Sequence, residues 1–292
     1  MTVLVRARTA SARFAFLPPS PFAVLGIDAA WTERAPSGVA LVEVRGEHAR
    51  AISAAPSYSS FLAGSPIDWN SRAAGGLCDA GELLRAAKAL TDLPVRCVAV
   101  DMALSRLPVT GRRAADNLTS AAFGRQWCGT HSPSAVRPGR VSESLVRGFE
   151  ERGFRLAVAG EPLPVRPLVE VHPHAALVRL TGAERRLPYK LARLRQHHPD
   201  AAREERRRRV LATWRRIVGA LESEVRGARA LLPMSRLAAL PLARLKGVED
   251  ALDAIVCAWI GAEAMRGRAE PFGDSTAAIW VPRERRSSFE RS

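Results

Sequence analysis

The run Phe22-Ala23-Val24-Leu25-Gly26-Ile27 delivers a single carboxylate, Asp28, to its own end, and a second β-rich run, Ser37-Gly38-Val39-Ala40-Leu41-Val42-Glu43-Val44, follows at once. With Thr32-Glu33-Arg34-Ala35-Pro36 between them, the two predict a strand, a turn and an antiparallel partner. Asp28 then sits where a buried strand meets solvent. A lone carboxylate there is costly to desolvate unless hydrogen bonds, a cation or a metal offset the loss. The chain is therefore constrained to bring Asp28 a partner from elsewhere.

Comparable acids recur along the chain. Asp79 precedes a stretch with Leu83, Leu84, Ala87 and Leu90 at helical spacing, which predicts an N-capped helix ended by Leu93-Pro94. The following run, Val95 to Val100, closes on Asp101 just as the first closes on Asp28. A strand reached through a helix is normally a parallel crossover, so Asp28 and Asp101 are expected at the same edge of one sheet. Glu47 to Ala54 reads as an edge-like strand, and Pro167 to Pro173 as another strand, which carries Glu170. Helical periodicity covers Ala175 to Leu180, a basic amphipathic stretch from Asp200 to Leu221, and a last strong helix from Leu245 to Met265. On that helix Val248, Leu252, Ile255, Val256 and Trp259 form one apolar stripe, with Glu249 and Asp253 on its edge and Asp250 further round.

Between these elements lie two expected insertions, at about 102–165 and 182–244. The first is a loop-like excursion with Arg106, Arg112, Arg113, Arg125, Arg137 and Arg140 among Gly, Ser, Thr and Pro. Loops this long in a compact domain are usually functional or mobile. One elaborated domain over 21–284 is expected, with a disordered leader at 1–20 and a flexible tail at 285–292. A formal net charge of +15 in 292 residues points to a polyanionic partner such as nucleic acid, because neutralising phosphates releases condensed counterions. An arginine-rich background and solvated helix faces account for part of that excess. No apolar run reaches the ~20 residues that span a bilayer, so no membrane role is expected. Cys78, Cys97, Cys128 and Cys257 have neither metal-knuckle spacing nor a disulfide framework, which fits a cytoplasmic protein.

Collecting Asp28, Asp101, Glu170, Asp250 and Asp253 in one place is electrostatically unfavourable: each pair at 4 Å costs from about 1 kcal/mol in water to about 4 at an effective dielectric of 20. A divalent cation removes that penalty, and all-oxygen ligands favour Mg²⁺ or Mn²⁺ over zinc. Two such ions can serve phosphodiester cleavage. His172 and His174 stand two apart near Glu170, where pocket lining or capping competes with a metal role, and His131 lies in the basic loop beside Ser132 and Pro133. No G-x-S-x-G is present and Cys128 has no electropositive helix start, which argues against nucleophilic catalysis.

Gly26-Ile27-Asp28 before Trp31 and Ser37-Gly38, Val100-Asp101-Met102, Gly111-Arg112-Arg113-Ala114-Ala115-Asp116, Thr130-His131-Ser132-Pro133, Glu170-Val171-His172-Pro173-His174, Leu187-Pro188-Tyr189-Lys190 and Glu249-Asp250-Ala251-Leu252-Asp253-Ala254 before Cys257-Ala258-Trp259 together form an ordered set. In that order, over about 22–282, they resemble the ribonuclease H-like proteins catalogued as domain of unknown function 429. The resemblance implies an α/β fold with a mixed five-stranded sheet, helices on both faces and a metal-bound carboxylate cluster. It implies Asp28, Asp101 and Asp253 as metal ligands, with Asp250 or Glu170 as the fourth acid. Arg112, Arg113 and Lys190, helped by His131 and His172, are expected to hold the substrate. The leading expectation is a Mg²⁺- or Mn²⁺-dependent nuclease. A non-catalytic nucleic-acid binder is the alternative, and an actin-like kinase or ATPase ranks lower because Asp101-Met102-Ala103-Leu104 offers no glycine for a second phosphate loop.

Overall fold

The computed structural model describes residues 20–284 apart from Ser65. The expected tail, and the leader up to residue 19, fall outside that range. In chain order the elements are β1 (Phe22–Asp28), β2 (Gly38–Arg45), β3 (His48–Ala55), α1 (Tyr58–Ala63), α2 (Ala80–Leu90), β4 (Val95–Val100), α3 (Ala114–Phe123), α4 (Arg140–Glu150), β5 (Arg155–Leu156), β6 (Pro167–Val171), α5 (Pro173–Thr181), α6 (Leu194–His197), α7 (Arg203–Glu224), α8 (Ala228–Leu231), α9 (Leu242–Met265), β7 (Ala269–Gly273) and β8 (Ala278–Pro282). The strands form one mixed sheet in the order β3-β2-β1-β4-β6-β8-β7, with short β5 beside β6.

The sheet has eight strands rather than the five expected. The difference comes from β5 and from the terminal hairpin β7–β8, whose sequences AEPFG and AIWVP are short and lack the alternation that marks a strand. The first hairpin forms as its apolar runs predict: β1 pairs antiparallel with β2, Asp28 opposite Gly38. β4 lies parallel to β1 with Val100 opposite Ile27, and the Asp101 amide donates to Ile27 O at 2.9 Å. The two aspartates therefore leave the sheet side by side at the carboxyl ends of adjacent parallel strands, where α/β sheets place their ligands. The stretch expected as a loop-like excursion contains α3 and α4. The second of these buries Leu145, Val146 and Phe149. Its apolar positions recur at helical spacing inside an arginine-rich background that masks them.

Strand alternation sorts the core into two layers. Val24, Cys97, Ala99, Val169 and Val171 pack with α9, α7 and α5, whereas Leu25, Ile27, Val98, Val100 and Leu168 pack with α2 and α4. Counting in steps of two from Val24 and Ala99, Asp28 and Asp101 belong to the α9 layer. α9 itself is buried on all sides from Gly247 to Met265, not along one stripe, because it lies between the sheet and the other helices. Its acids Glu249, Asp250 and Asp253 are consequently interior groups.

Two glycines set how closely α9 approaches. A Cβ at Gly26 would stand 2.2 Å from the Ala254 carbonyl oxygen, and one at Gly38 would stand 2.0 Å from that of Asp250. Both obstacles are backbone, which cannot rotate away as a side-chain tip can. Gly26→Ala and Gly38→Ala are each expected to cost about 1–3 kcal/mol by overpacking, read as a lowered urea midpoint. Stabilities within about 0.5 kcal/mol of the parent would contradict this account of the contact.

Candidate functional site

A cleft of about 640 Å³ opens beyond the ends of β1, β4 and β6, within the size range of small-ligand pockets. Asp28, Asp101, Glu170, Glu249 and Asp250 line it, together with Arg113, Arg137, Arg186, Lys190, Arg193 and Lys246. Asp253 is fully buried beneath.

Asp28 and Asp101 are half-buried, and neither carboxylate has a hydrogen-bond or ion-pair partner among the described residues. Burial pushes Asp28 up to about 6, with Lys190 pulling down and Asp253 pushing up. Asp101 is raised well above the carboxylate range, first by burial and then by the neighbouring charge of Asp28. Desolvation and like charge act together here, as they do where carboxylates share a site.

On α9 the acids have been given partners. Asp253 accepts from the Tyr189 hydroxyl at 2.8 Å and is ion-paired with Lys190, whose ammonium also lies 3.7 Å from Glu249. Burial alone would disfavour the Lys190 ammonium, but Asp253 and its neighbours raise its pKa and hold it charged. Lys246, one turn before these acids, pairs with Asp250 and lies 3.2 Å from Glu249. The Leu191 amide donates to Glu249 at 2.6 Å and Trp214 Nε1 donates to the Tyr189 carbonyl at 2.8 Å, so the Tyr189–Leu191 segment is pinned across the helix. Asp250 Oδ2 remains buried without a hydrogen-bond partner among the described residues. Five carboxylates (Asp28, Asp101, Glu249, Asp250, Asp253) face two ammonium groups, which leaves three negative charges uncompensated when all are ionised.

Glu170 is placed differently. Its register partner is Val100, so it lies on the opposite face of the sheet from Asp101. Arg113 grips it bidentately, with both contacts at 2.6 Å, and the Leu104 amide donates to it at 2.8 Å. Arg113 also pairs with Asp116 at 2.9 Å and donates to Leu104 O. Glu170 and Arg113 thus tie the segment after β4 to β6 and α3. Arg112 does not line the cleft: it donates to Asn117 Oδ1 and Ser132 Oγ, both at 2.9 Å, and to Ser120 Oγ at 3.0 Å. His172 is buried, its Nε2 lies 2.9 Å from Cys128 O, and desolvation pushes it down to about 4. His131 lies on the cleft with its ring edge-to-face to Trp31 at 6.3 Å.

The fold thus brings Asp28, Asp101, Asp250, Asp253 and Lys190 together, and commits Glu170, Arg112 and Arg113 to internal bonds. Among the described residues no three His, Cys, Asp or Glu side chains are grouped so as to hold a metal ion as they stand. Sequence reasoning missed Lys246, although its spacing of three and four from Glu249 and Asp250 was a usable signal. It also missed Arg186 and Arg193 as cleft residues, since nothing local separates them from the other arginines.

No helix among the described residues is long and apolar enough to cross a membrane. No curated protein and no solved structure matches the chain. A family model described as "Protein of unknown function (DUF429)" matches residues 26–278, which takes in the end of β1 with its Asp28, the whole of α9 and the acidic and basic residues that line the cleft. The chain therefore belongs to the DUF429 family.

Proposed function

We propose that this protein is a divalent-metal-dependent phosphodiesterase acting on nucleic acid, on a ribonuclease H-like core. The observation that carries the reading is the pair Asp28 and Asp101: adjacent, without a hydrogen-bond or ion-pair partner among the described residues, and raised by burial and neighbouring carboxylates at the edge of a parallel strand pair. The block β3-β2-β1-β4-β6 supports the core assignment, being a contiguous run of five strands, antiparallel at one end and parallel at the other.

The donor chemistry suits a hard cation, since Asp28, Asp101 and the orphaned Asp250 Oδ2 all offer oxygen; as no three acids stand grouped around one point among the described residues, the ion in this reading draws them together. These residues would hold Mg²⁺ or Mn²⁺, as one ion or two, which supplies charge neutralisation at the phosphoryl group and a water of lowered pKa. Asp253 acts at one remove in this reading, by fixing Lys190 and Tyr189. Lys190 in turn lowers the pKa of Asp28 and favours its ionised, ligating form. The arginines of the cleft supply contacts to substrate phosphates.

The test is incubation of the purified chain with single- and double-stranded DNA and RNA, hybrid and branched substrates, with Mg²⁺ or Mn²⁺ and with EDTA. Cleavage that needs the metal supports the proposal. A second reading, a nucleic-acid binder without catalysis, is favoured by the ion pairs that Lys190 and Lys246 already make with the α9 acids. An EDTA-insensitive mobility shift without cleavage of any substrate would select it.

A further inference from the structure

The cleft carries charge of both signs. Besides the acids it is lined by Arg137, from the segment before α4, Arg186, from the segment after α5, and Arg193, just before α6. None of the three forms an ion pair among the described residues, and the hydrogen bonds they make come from the backbone. The Arg186 amide donates to Gln126 O at 2.8 Å and the Arg193 amide to Lys190 O at 3.0 Å. Arg186 Nε is buried with no hydrogen-bond partner among the described residues, an unsatisfied guanidinium donor on a residue that lines the cleft. Like charges held together without counter-ions repel by about 1–4 kcal/mol per pair at 4 Å. His131 and Ser132 line the same region, the Ser132 hydroxyl accepting from Arg112 and keeping its proton to donate, whereas the neighbouring Thr130 hydroxyl donates to Asp116 O at 3.2 Å. The charge is felt locally: burial, then Arg193, Arg186 and Arg137, lower the pKa of His131. A guanidinium with free, planar donors matches phosphate oxygens better than any other side chain.

We propose that Arg137, Arg186 and Arg193, with the hydroxyl of Ser132, form a phosphate-binding subsite in the cleft that positions a phosphate ester of the substrate beside the acids. The assignment of that phosphate to a nucleic-acid substrate rests on the nuclease reading; the anion site itself does not. The phosphate comes either from the chain backbone or from a strand terminus.

The test is binding in EDTA, where no cleavage occurs, read by calorimetry and thermal shift. The probes are inorganic phosphate and one single-stranded oligonucleotide carrying either a 5′-phosphate or a 5′-hydroxyl. The parent chain and Asp101→Asn should bind inorganic phosphate, and the double variant Arg186→Gln/Arg193→Gln should bind at least about tenfold more weakly. Arg195→Gln, an exposed arginine that does not line the cleft, should behave as the parent. A 5′-phosphate preference lost in the double variant assigns the subsite to a strand terminus; equal weakening for both oligonucleotides assigns it to the backbone. Unchanged binding in a folded double variant, or equal loss in Arg195→Gln, overturns the proposal. Phosphate binding with no cleavage of any substrate would leave the subsite standing and remove the nuclease reading. Cleavage with unchanged KM in the double variant would do the reverse.

Discussion

Asp28→Asn and Asp101→Asn are expected to cut nucleic acid at least about 10³-fold more slowly than the parent chain in Mg²⁺, because each removes a ligand from a cation that supplies several kcal/mol at the phosphoryl group. Stability should move the other way when the metal is withheld. Asp28 has a folded-state pKa of about 6 against an ordinary 3.8, so the folded state binds more protons than the unfolded state between those values. Its ionisation therefore subtracts stability as pH rises from about 4 to about 6, and the full cost persists above 6. Two units correspond to about 3 kcal/mol, and partial exposure to the cleft reduces this to about 1–2. In EDTA at pH 7.5, Asp28→Asn should thus be more stable than the parent, with the gap closing below pH 4. Added Mg²⁺ should reverse the order, stabilising the parent by about 2.7 kcal/mol at one hundred times its Kd and leaving the variant unmoved. Urea melts across pH, with and without metal, measure both effects independently of any substrate. A parent chain that is unresponsive to Mg²⁺ and Mn²⁺ would remove Asp28 and Asp101 from the role of ligands.

The parts of the site that were legible in the sequence are those set by short-range patterns. Two apolar runs each closing on an aspartate, the second reached through a capped helix, place Asp28 and Asp101 side by side, and the observed register of Ile27 with Val100 agrees. Asp79 caps α2 as expected, accepting from the Glu82 amide at 2.9 Å. Glu170 resembled these acids but is one residue out of phase, because its strand continues to Val171, and period-two alternation then sends it to the other face. Apart from Lys246, whose spacing from Glu249 and Asp250 is local, the commitments of the basic residues in the cleft were not legible. Whether an arginine faces substrate or a buried carboxylate depends on contacts across 57 positions, as between Arg113 and Glu170, and no local pattern encodes that. The complete burial of α9 was hidden for a related reason: Glu249, Asp250 and Asp253 read as a wet flank until the folded chain supplies Lys190 and Lys246 as partners.

Arg113→Ala is expected to be the most destabilising single substitution in the cleft, at about 3–5 kcal/mol near pH 7.5. The Arg113 side chain is 8% exposed, and its partners Asp116 and Glu170 are 2% and 5% exposed, so its loss strands two carboxylates out of reach of water. Removing one member of a buried ion pair carries that cost because the survivor keeps its desolvation penalty without its Coulombic compensation. The total stability of a domain is about 5–15 kcal/mol, so the variant is expected near the margin of folding. The damage should also be pH-dependent. Burial pushes the Glu170 carboxyl up and Arg113 pulls it back down. Without the guanidinium the Leu104 amide is left to oppose the upward push, Glu170 takes up a proton more readily, and the deficit should shrink as pH falls towards 5. A companion variant, Arg113→Ala/Glu170→Gln, should recover part of the loss at pH 7.5, since the amide keeps the shape and removes the stranded charge. This ordering separates a brace from a substrate contact. An arginine that only touched phosphate would, when replaced by Ala, raise KM with little change in the urea midpoint, and the second substitution would rescue nothing.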